Sequence, residues 1–235
     1  CIRDRRYGVC ENNRTQILWC LGHKMKCTQK CMVVTHSADS TRALFDMTRR
    51  YHENCPELLK PHTKYSSRKE LSFDVLDSSY VVATAGSEAI GRGETLTHVH
   101  ASELAFWSNN TARDNWNAIL QAVPNTKGTA IIAESTANGL SGVFHDLWRG
   151  ACDGTNGFIP IFIPWYIDDS YVELVDRPLD RTPEEDEISS KYILTDEQLA
   201  FRRKRIAQGS GYQAKDVDKV LADFQRMRGF MKQMS

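Results

Sequence analysis

The sequence predicts an α/β protein with a mainly parallel sheet flanked by helices and a short helical appendage at its C-terminal end. Two observations carry that expectation. Thr97 to Trp107 (THVHASELAFW) and Ala130 to Gly139 (AIIAESTANG) are short apolar runs that each end on small polar or acidic residues. In a parallel sheet, neighbouring strands of this kind deliver polar groups to one crevice at their carboxyl ends. A third observation is the alternation of strand-like and helix-like segments along most of the chain, the pattern of strand–helix–strand units. Such a crevice suits nucleotide hydrolysis, with a metal ligand and catalytic carboxylate ending one strand and a nucleotide sensor ending the next.

The elements follow in order. Glu11 to Lys24 fits a helix with Ile17, Leu18 and Leu21 on one face. Cys31 to Thr35 (CMVVT) reads as a short buried strand, and Ser37 to Asn54 as an amphipathic helix. Ser37 is its N-cap, and Ala43, Leu44, Met47 and Tyr51 recur at helical spacing. Leu71 to Val75 and Tyr80 to Thr84 bracket DSS as a hairpin-like pair, and the Gly-rich loop AGSEAIGRGET follows. Beyond the Thr97 strand come a helix near Ala112 to Val123, the Ala130 strand and a helix over Gly142 to Gly150. Phe158 to Trp165 (FIPIFIPW) is the last strand expected, at an edge because of its prolines. Thr182-Pro183 followed by acids starts a further helix, and Thr195 with Gln198 forms a capping box for another running towards Arg205. The expected divisions are a core at 1–166, a polar acidic linker with helical segments at 167–200, and a basic, Met-rich helical tail at 201–235.

Composition narrows the function classes. Lys+Arg and Asp+Glu both total 30 in 235 residues, so no global field announces a polyanionic partner. The balance conceals an asymmetry: residues 201–235 hold nine Lys/Arg against three Asp, net +6, leaving −6 on residues 1–200. Any polyanion contact is therefore expected to be local. No apolar run approaches the roughly 20 residues that span a bilayer, and no signal peptide is visible, so a cytoplasmic location without membrane spans is expected. The chain starts at Cys1, which suggests a fragment. Seven cysteines, an odd number, fit reduced thiols. Cys27, Cys31, His52 and Cys55 can be written as a zinc pattern, but the twenty-residue gap holds a strand and a helix, which favours scattered thiols. His98 and His100 share a strand face and lack a third ligand, which favours structural roles.

Five segments in order carry a resemblance: GSEAIGRGET (Gly86 to Thr95), THVHASELAFW, AESTANG, GVFHDLW and the IFIPWY run ending at Tyr166. Together they resemble the ATPase domain of the large terminase subunit of tailed phages, over about residues 2 to 205. The resemblance implies a P-loop NTPase-like fold, ATP and Mg²⁺ as cofactors, and double-stranded DNA as the translocated partner. It further implies a portal and a small terminase subunit as partners, and a homo-oligomeric ring. Terminase large subunits normally continue into a nuclease domain, and nothing after residue 205 resembles one, so DNA cleavage is not expected.

By the same resemblance the phosphate loop falls on Arg5, Arg6, Gly8, Val9 and Cys10. Gly8 supplies a turn and Arg3, Arg5 or Arg6 a cation, while Cys10 stands where a Ser/Thr hydroxyl would meet Mg²⁺. The Walker B ending is Ser102-Glu103 in place of Asp-Glu. Glu103 is then the catalytic base, unless it only caps the helix starting near Leu104. Ser102 holds a metal-bound water without contributing charge. Ser135, Thr136 and Asn138 match the coupling motif that senses the γ-phosphate. Arg92, in a Gly-Arg-Gly loop, contacts phosphate or DNA, unless it is an ordinary solvated loop arginine. The substitutions at Cys10 and Ser102 leave a second reading open, a nucleotide-binding remnant that does not turn over.

A further resemblance begins in RRKRIAQGSGYQAKDVDKVLADFQRMRGFMKQMS, Arg202 to Ser235. This segment is similar to the RNA-binding methionine-rich domain of the signal recognition particle 54-kDa protein. That similarity implies structured-RNA contacts from Arg202, Arg203, Lys204, Arg205, Gly209, Ser210 and Gly211, with a turn at Gly209 to Gly211. Half of the six methionines fall in the last nine residues, and Phe224, Met227 and Met231 equally fit a plain helix face.

Overall fold

The computed structural model describes residues 28–57, 60–75, 77–87, 90, 93 and 95–210, with backbone alone at 208–210. The loop at Arg5, Arg6, Gly8, Val9 and Cys10, the helix expected from Glu11, Arg92 and Gly211 lie outside the described residues. The chain divides into two compact units, Cys1–Ile163 and Pro164–Ser235.

Among the described residues the first unit holds six strands: β1 (Lys30–Thr35), β2 (Thr63–Ser66), β3 (Glu70–Phe73), β4 (Ser78–Thr84), β5 (His98–Ser102) and β6 (Ala130–Glu134). Their order is β2-β3-β4-β1-β5-β6. β4, β1, β5 and β6 run parallel, while β2 and β3 form an antiparallel margin. The chain leaves β1 towards β4 and then crosses to β5 on the other side. That reversal opens a crevice at the carboxyl ends of the parallel strands.

β1 shows why the sheet is covered on both faces. Cys31 and Val33 join Leu44, Phe45, Tyr80 and Val82 under α1 (Ala38–Glu53). Met32 and Val34 join Val99, Ala101, Trp116 and Ile119 under α2 (Ala112–Ala122). An apolar run with no polar alternation is what a strand buried on both faces requires. α1 begins as expected, with Ser37 Oγ accepting from the Ser40 N–H. Its buried stripe is rotated from the expected one, however. Thr41, Leu44, Phe45, Thr48 and His52 face the sheet, while Ala43 is exposed. The two threonines can be buried because each hydroxyl bonds a carbonyl one turn back, Thr41 to Ser37 and Thr48 to Leu44. Thr48 Oγ1 also lies 3.1 Å from the Tyr80 hydroxyl, and Thr41 Oγ1 lies 2.7 Å from those of both Thr35 and Thr84.

The expected hairpin is present as β3 and β4, and β2 extends it where no strand was expected. The opposite correction applies to Phe158 to Trp165, which forms no strand. Pro160 and Pro164 remove two backbone donors, so no ladder can run through the segment. Ile159, Ile161 and Phe162 stay exposed there. α3 (Val143–Cys152) follows Gly142, whose φ of 101° is open to glycine at little cost.

The second unit holds α4 (Pro183–Tyr192) and α5 (Asp196–Ser210). Both predicted starts are present as reciprocal capping boxes, Thr182 with Glu185 and Thr195 with Gln198. α5 continues through Gly209 and Ser210, so these two residues are helical where a turn was expected. Phe201 stacks on Tyr171 at 5.2 Å and lies 6.2 Å from Trp165, with Leu199 fully buried. Among the described residues no helix is long and apolar enough to cross a membrane.

Candidate functional site

The ends of β5 and β6 are stitched together side chain by side chain. The parallel register sets Ser102 opposite Glu134, and the Ser102 hydroxyl donates to Glu134 Oε1 at 2.7 Å. One residue on, the chain leaves β5 through Glu103 with φ 53° and ψ 46°, the left-handed region. An L-residue with a long side chain rarely adopts that conformation, and such strain concentrates at functional positions. The turn aims the Glu103 carboxylate across to the end of β6. Its Oε2 accepts from Ser135 Oγ at 3.3 Å and, at 3.5 Å, from the Thr136 N–H. Glu103 occupies the N-cap position of the short 3-10 turn Leu104–Phe106, its carbonyl accepting from the Phe106 N–H, but its side chain makes no capping bond there.

Ser135 is buried and serves both loops, donating to Glu103 while accepting from the Ala105 N–H at 3.2 Å. Asn138 donates to the Ala105 carbonyl at 3.0 Å, and the Trp107 indole to the Ser102 carbonyl at 3.0 Å. The structure therefore brings Ser102, Glu103, Ser135, Thr136 and Asn138 into one constellation. It adds Glu134, which sequence reasoning passed over as the last letter of an apolar run. The only available signal was its place directly opposite Ser102 once the two strands are paired.

The donor chemistry fits Mg²⁺. That ion takes oxygen ligands, keeps several waters, and is held by one or two carboxylates together with substrate phosphates. Ser102, Glu134 and Glu103 offer a hydroxyl and two carboxylates at adjacent strand ends. Among the described residues no three His, Cys, Asp or Glu side chains could hold a metal ion by themselves; Cys27 of the cysteine–histidine zinc pattern lies outside the described residues. Cys31 sits in the core, and His52 Nε2 lies 3.0 Å from the Pro61 carbonyl oxygen.

The basic run of the second unit is divided by helical phase. Arg203 meets Glu185 through Nε to Oε1 at 2.8 Å and Nη2 to Oε2 at 2.6 Å, and donates to the Asp180 carbonyl at 2.7 Å. The two side chains are only 11% and 2% exposed. Burial alone would raise the Glu185 carboxyl, but the Arg203 and Thr182 hydrogen bonds and the charges of Arg203 and Arg202 hold it below its ordinary value. Lys204 pairs with Glu173 at 2.6 Å. Arg205 is exposed, its guanidinium 5.9 Å from the Phe201 ring centroid. Arg203 thus serves protein packing in this structure.

The fold that this arrangement defines is an α/β one, a six-stranded, mostly parallel sheet flanked by helices, like the sheet of large terminases. Among solved structures, the large terminase of bacteriophage HK97 superposes with a TM-score of 0.51 over 92% of this chain and 41% of that one, at 15% identity. The large terminase of a thermophilic bacteriophage gives 0.50 over 65% of this chain and 36% of that one, at 12% identity. The chain spans about two-fifths of the length of the terminases it matches. Residues 182–235 match the family model described as the signal peptide binding domain. That match begins at Thr182, the N-cap of α4, some twenty residues before the basic run.

Proposed function

We propose that the first unit is the ATP-hydrolysing part of a DNA-packaging motor of the large-terminase type, acting on double-stranded DNA. The observation that carries this reading is Glu103: a glutamate in left-handed backbone at a parallel strand end, its carboxylate gripped by the neighbouring strand end. In this reading Glu103 orients the attacking water and takes its proton. Ser135, Thr136 and Asn138 link that carboxylate to the loop after β6, so a shift on the nucleotide side is felt in both loops. Bound Mg²⁺ would neutralise charge on the β and γ oxygens. Ser102 and Glu134 would face its shell, Arg5, Arg6, Gly8, Val9 and Cys10 would cradle the phosphates, and Arg92 would contact phosphate or DNA. Partners of the portal and small-subunit kind, and a ring of copies, belong to this reading. DNA-stimulated ATP hydrolysis by the purified chain tests it; nucleotide binding with no turnover would favour the non-hydrolysing alternative.

The match at 182–235 supports a second reading for the other unit, a helical module that contacts structured RNA. In it Arg202 and Arg205 carry the phosphate contacts, because Arg203 and Lys204 are occupied by Glu185 and Glu173.

A further inference from the structure

We propose that Glu134 supplies the metal-shell charge that Ser102 lacks, so that a hydrogen-bonded Ser102–Glu134 pair stands in for one strand-end aspartate. The proposal rests on the nucleotide-binding reading of the same crevice and deepens it.

Three observations point to it. The first is the register: parallel pairing of β5 and β6 fixes Ser102 beside Glu134, and the hydroxyl donates to Oε1 at 2.7 Å. The second is the exposure gradient. Ser102 is 2% exposed, while the Glu134 side chain is 27% exposed. The charge is thus anchored at a buried hydroxyl yet reaches towards solvent. The third is His100, two residues earlier on the same strand face. It is fully buried, neither ring nitrogen has a hydrogen-bond partner, and Nε2 lies 3.4 Å from that same Oε1. A buried ring and a buried hydroxyl thus converge on one carboxylate oxygen and fix where the Glu134 charge sits at the strand end.

The chemistry follows from the direction of the Ser102 bond. With its hydrogen given to Glu134, the hydroxyl keeps only lone pairs for any further partner. It can accept from a metal-bound water, as an aspartate would, and the negative charge lies one hydrogen bond away on the neighbouring strand. The two acids then have separate tasks. Glu103 is held by Ser135 and Thr136 and faces the water, while Glu134 is held by Ser102 and faces the ion.

The test is titration of the full 235-residue chain with a fluorescent ATP analogue, in Mg²⁺ and in EDTA. Glu134→Gln keeps an acceptor for Ser102 and removes the charge. The expected result is a loss of affinity of about tenfold or more in Mg²⁺, the range seen for outer-shell partners, with the EDTA affinity unchanged. Adding Ser102→Asp to Glu134→Gln should restore most of the loss, which also excludes misfolding as its cause. Equal affinity of parent and Glu134→Gln in Mg²⁺ overturns the proposal and leaves the nucleotide-site reading standing. So does a loss of equal size in both buffers, or a loss that Ser102→Asp does not restore. A parent chain that binds the analogue in neither buffer overturns both.

Discussion

Removing the Arg203 guanidinium should destabilise the second unit far more than a surface charge does. Arg203→Ala deletes two hydrogen bonds to Glu185 and one to the Asp180 carbonyl. It leaves a carboxylate on a residue that is 2% exposed, with the Thr182 N–H at 2.9 Å as its remaining capping-box donor. Breaking one side of a buried pair costs about 3–5 kcal/mol, against about 0–1 for an exposed pair. The readout is amide exchange in α4, where each 1.4 kcal/mol is about tenfold in protection, so a fall of about 100-fold or more is expected. Arg203→Met with Glu185→Leu should recover most of it, because replacing both partners by apolar groups of similar size leaves no orphaned charge. A fall of less than about tenfold in the single variant would refute the reasoning, since the pair would then behave as a surface contact.

Acid should loosen the same unit. Glu185 is held below its ordinary 4.5, where pairing with Arg203 overrides burial, and Asp196 below 3.8 by the Leu179 N–H and Arg181. Groups with depressed values contribute stability that is present above those ordinary values and is lost as pH falls through the lowered ones. Helical circular dichroism should therefore hold from pH 7 to about 5 and fall below about 4; a loss centred near neutrality would contradict this. Ile193 closes α4 at φ 57° and is 88% exposed, so Ile193→Gly relieves left-handed strain without opening the core. It should raise stability by about 1 kcal/mol in urea unfolding, and a decrease would show the side chain to be packed. Replacing Arg202 and Arg205 by Ala should flatten the log–log salt dependence of RNA binding by about 1.5, and an unchanged slope would remove them from the contact.

The sequence made the regular elements legible wherever one physical signal dominated. CMVVT read as a short buried strand, and Ser37, Thr182 and Thr195 announced their helices by capping chemistry. Thr63–Ser66 escaped because an edge strand with three exposed residues needs no apolar pattern. FIPIFIPW misled in the other direction: its apolar alternation is strand-like, but two prolines deny it a ladder. The α1 stripe was misplaced because hydrophobicity was counted, whereas Thr41 and Thr48 tolerate burial by satisfying their hydroxyls within the helix. In the site, Glu103, Ser135, Thr136 and Asn138 were legible as motif letters, and the structure gives them their contacts. Glu134 and the Arg203–Glu185 pair were not legible, because each depends on a partner many residues away. A basic run read along the chain looks uniform; helical phase divides it between protein and solvent.

If Glu103 orients the water that attacks the γ-phosphate, as proposed, turnover depends on its carboxylate. Glu103→Gln keeps the length and hydrogen-bonding outline of the side chain but removes the base, so the comparison to make is ATP turnover and nucleotide affinity of parent and variant, with Mg²⁺ and double-stranded DNA. Turnover should drop by about 10² or more with affinity retained. Turnover equal to the parent's would contradict this and remove Glu103 from the chemistry.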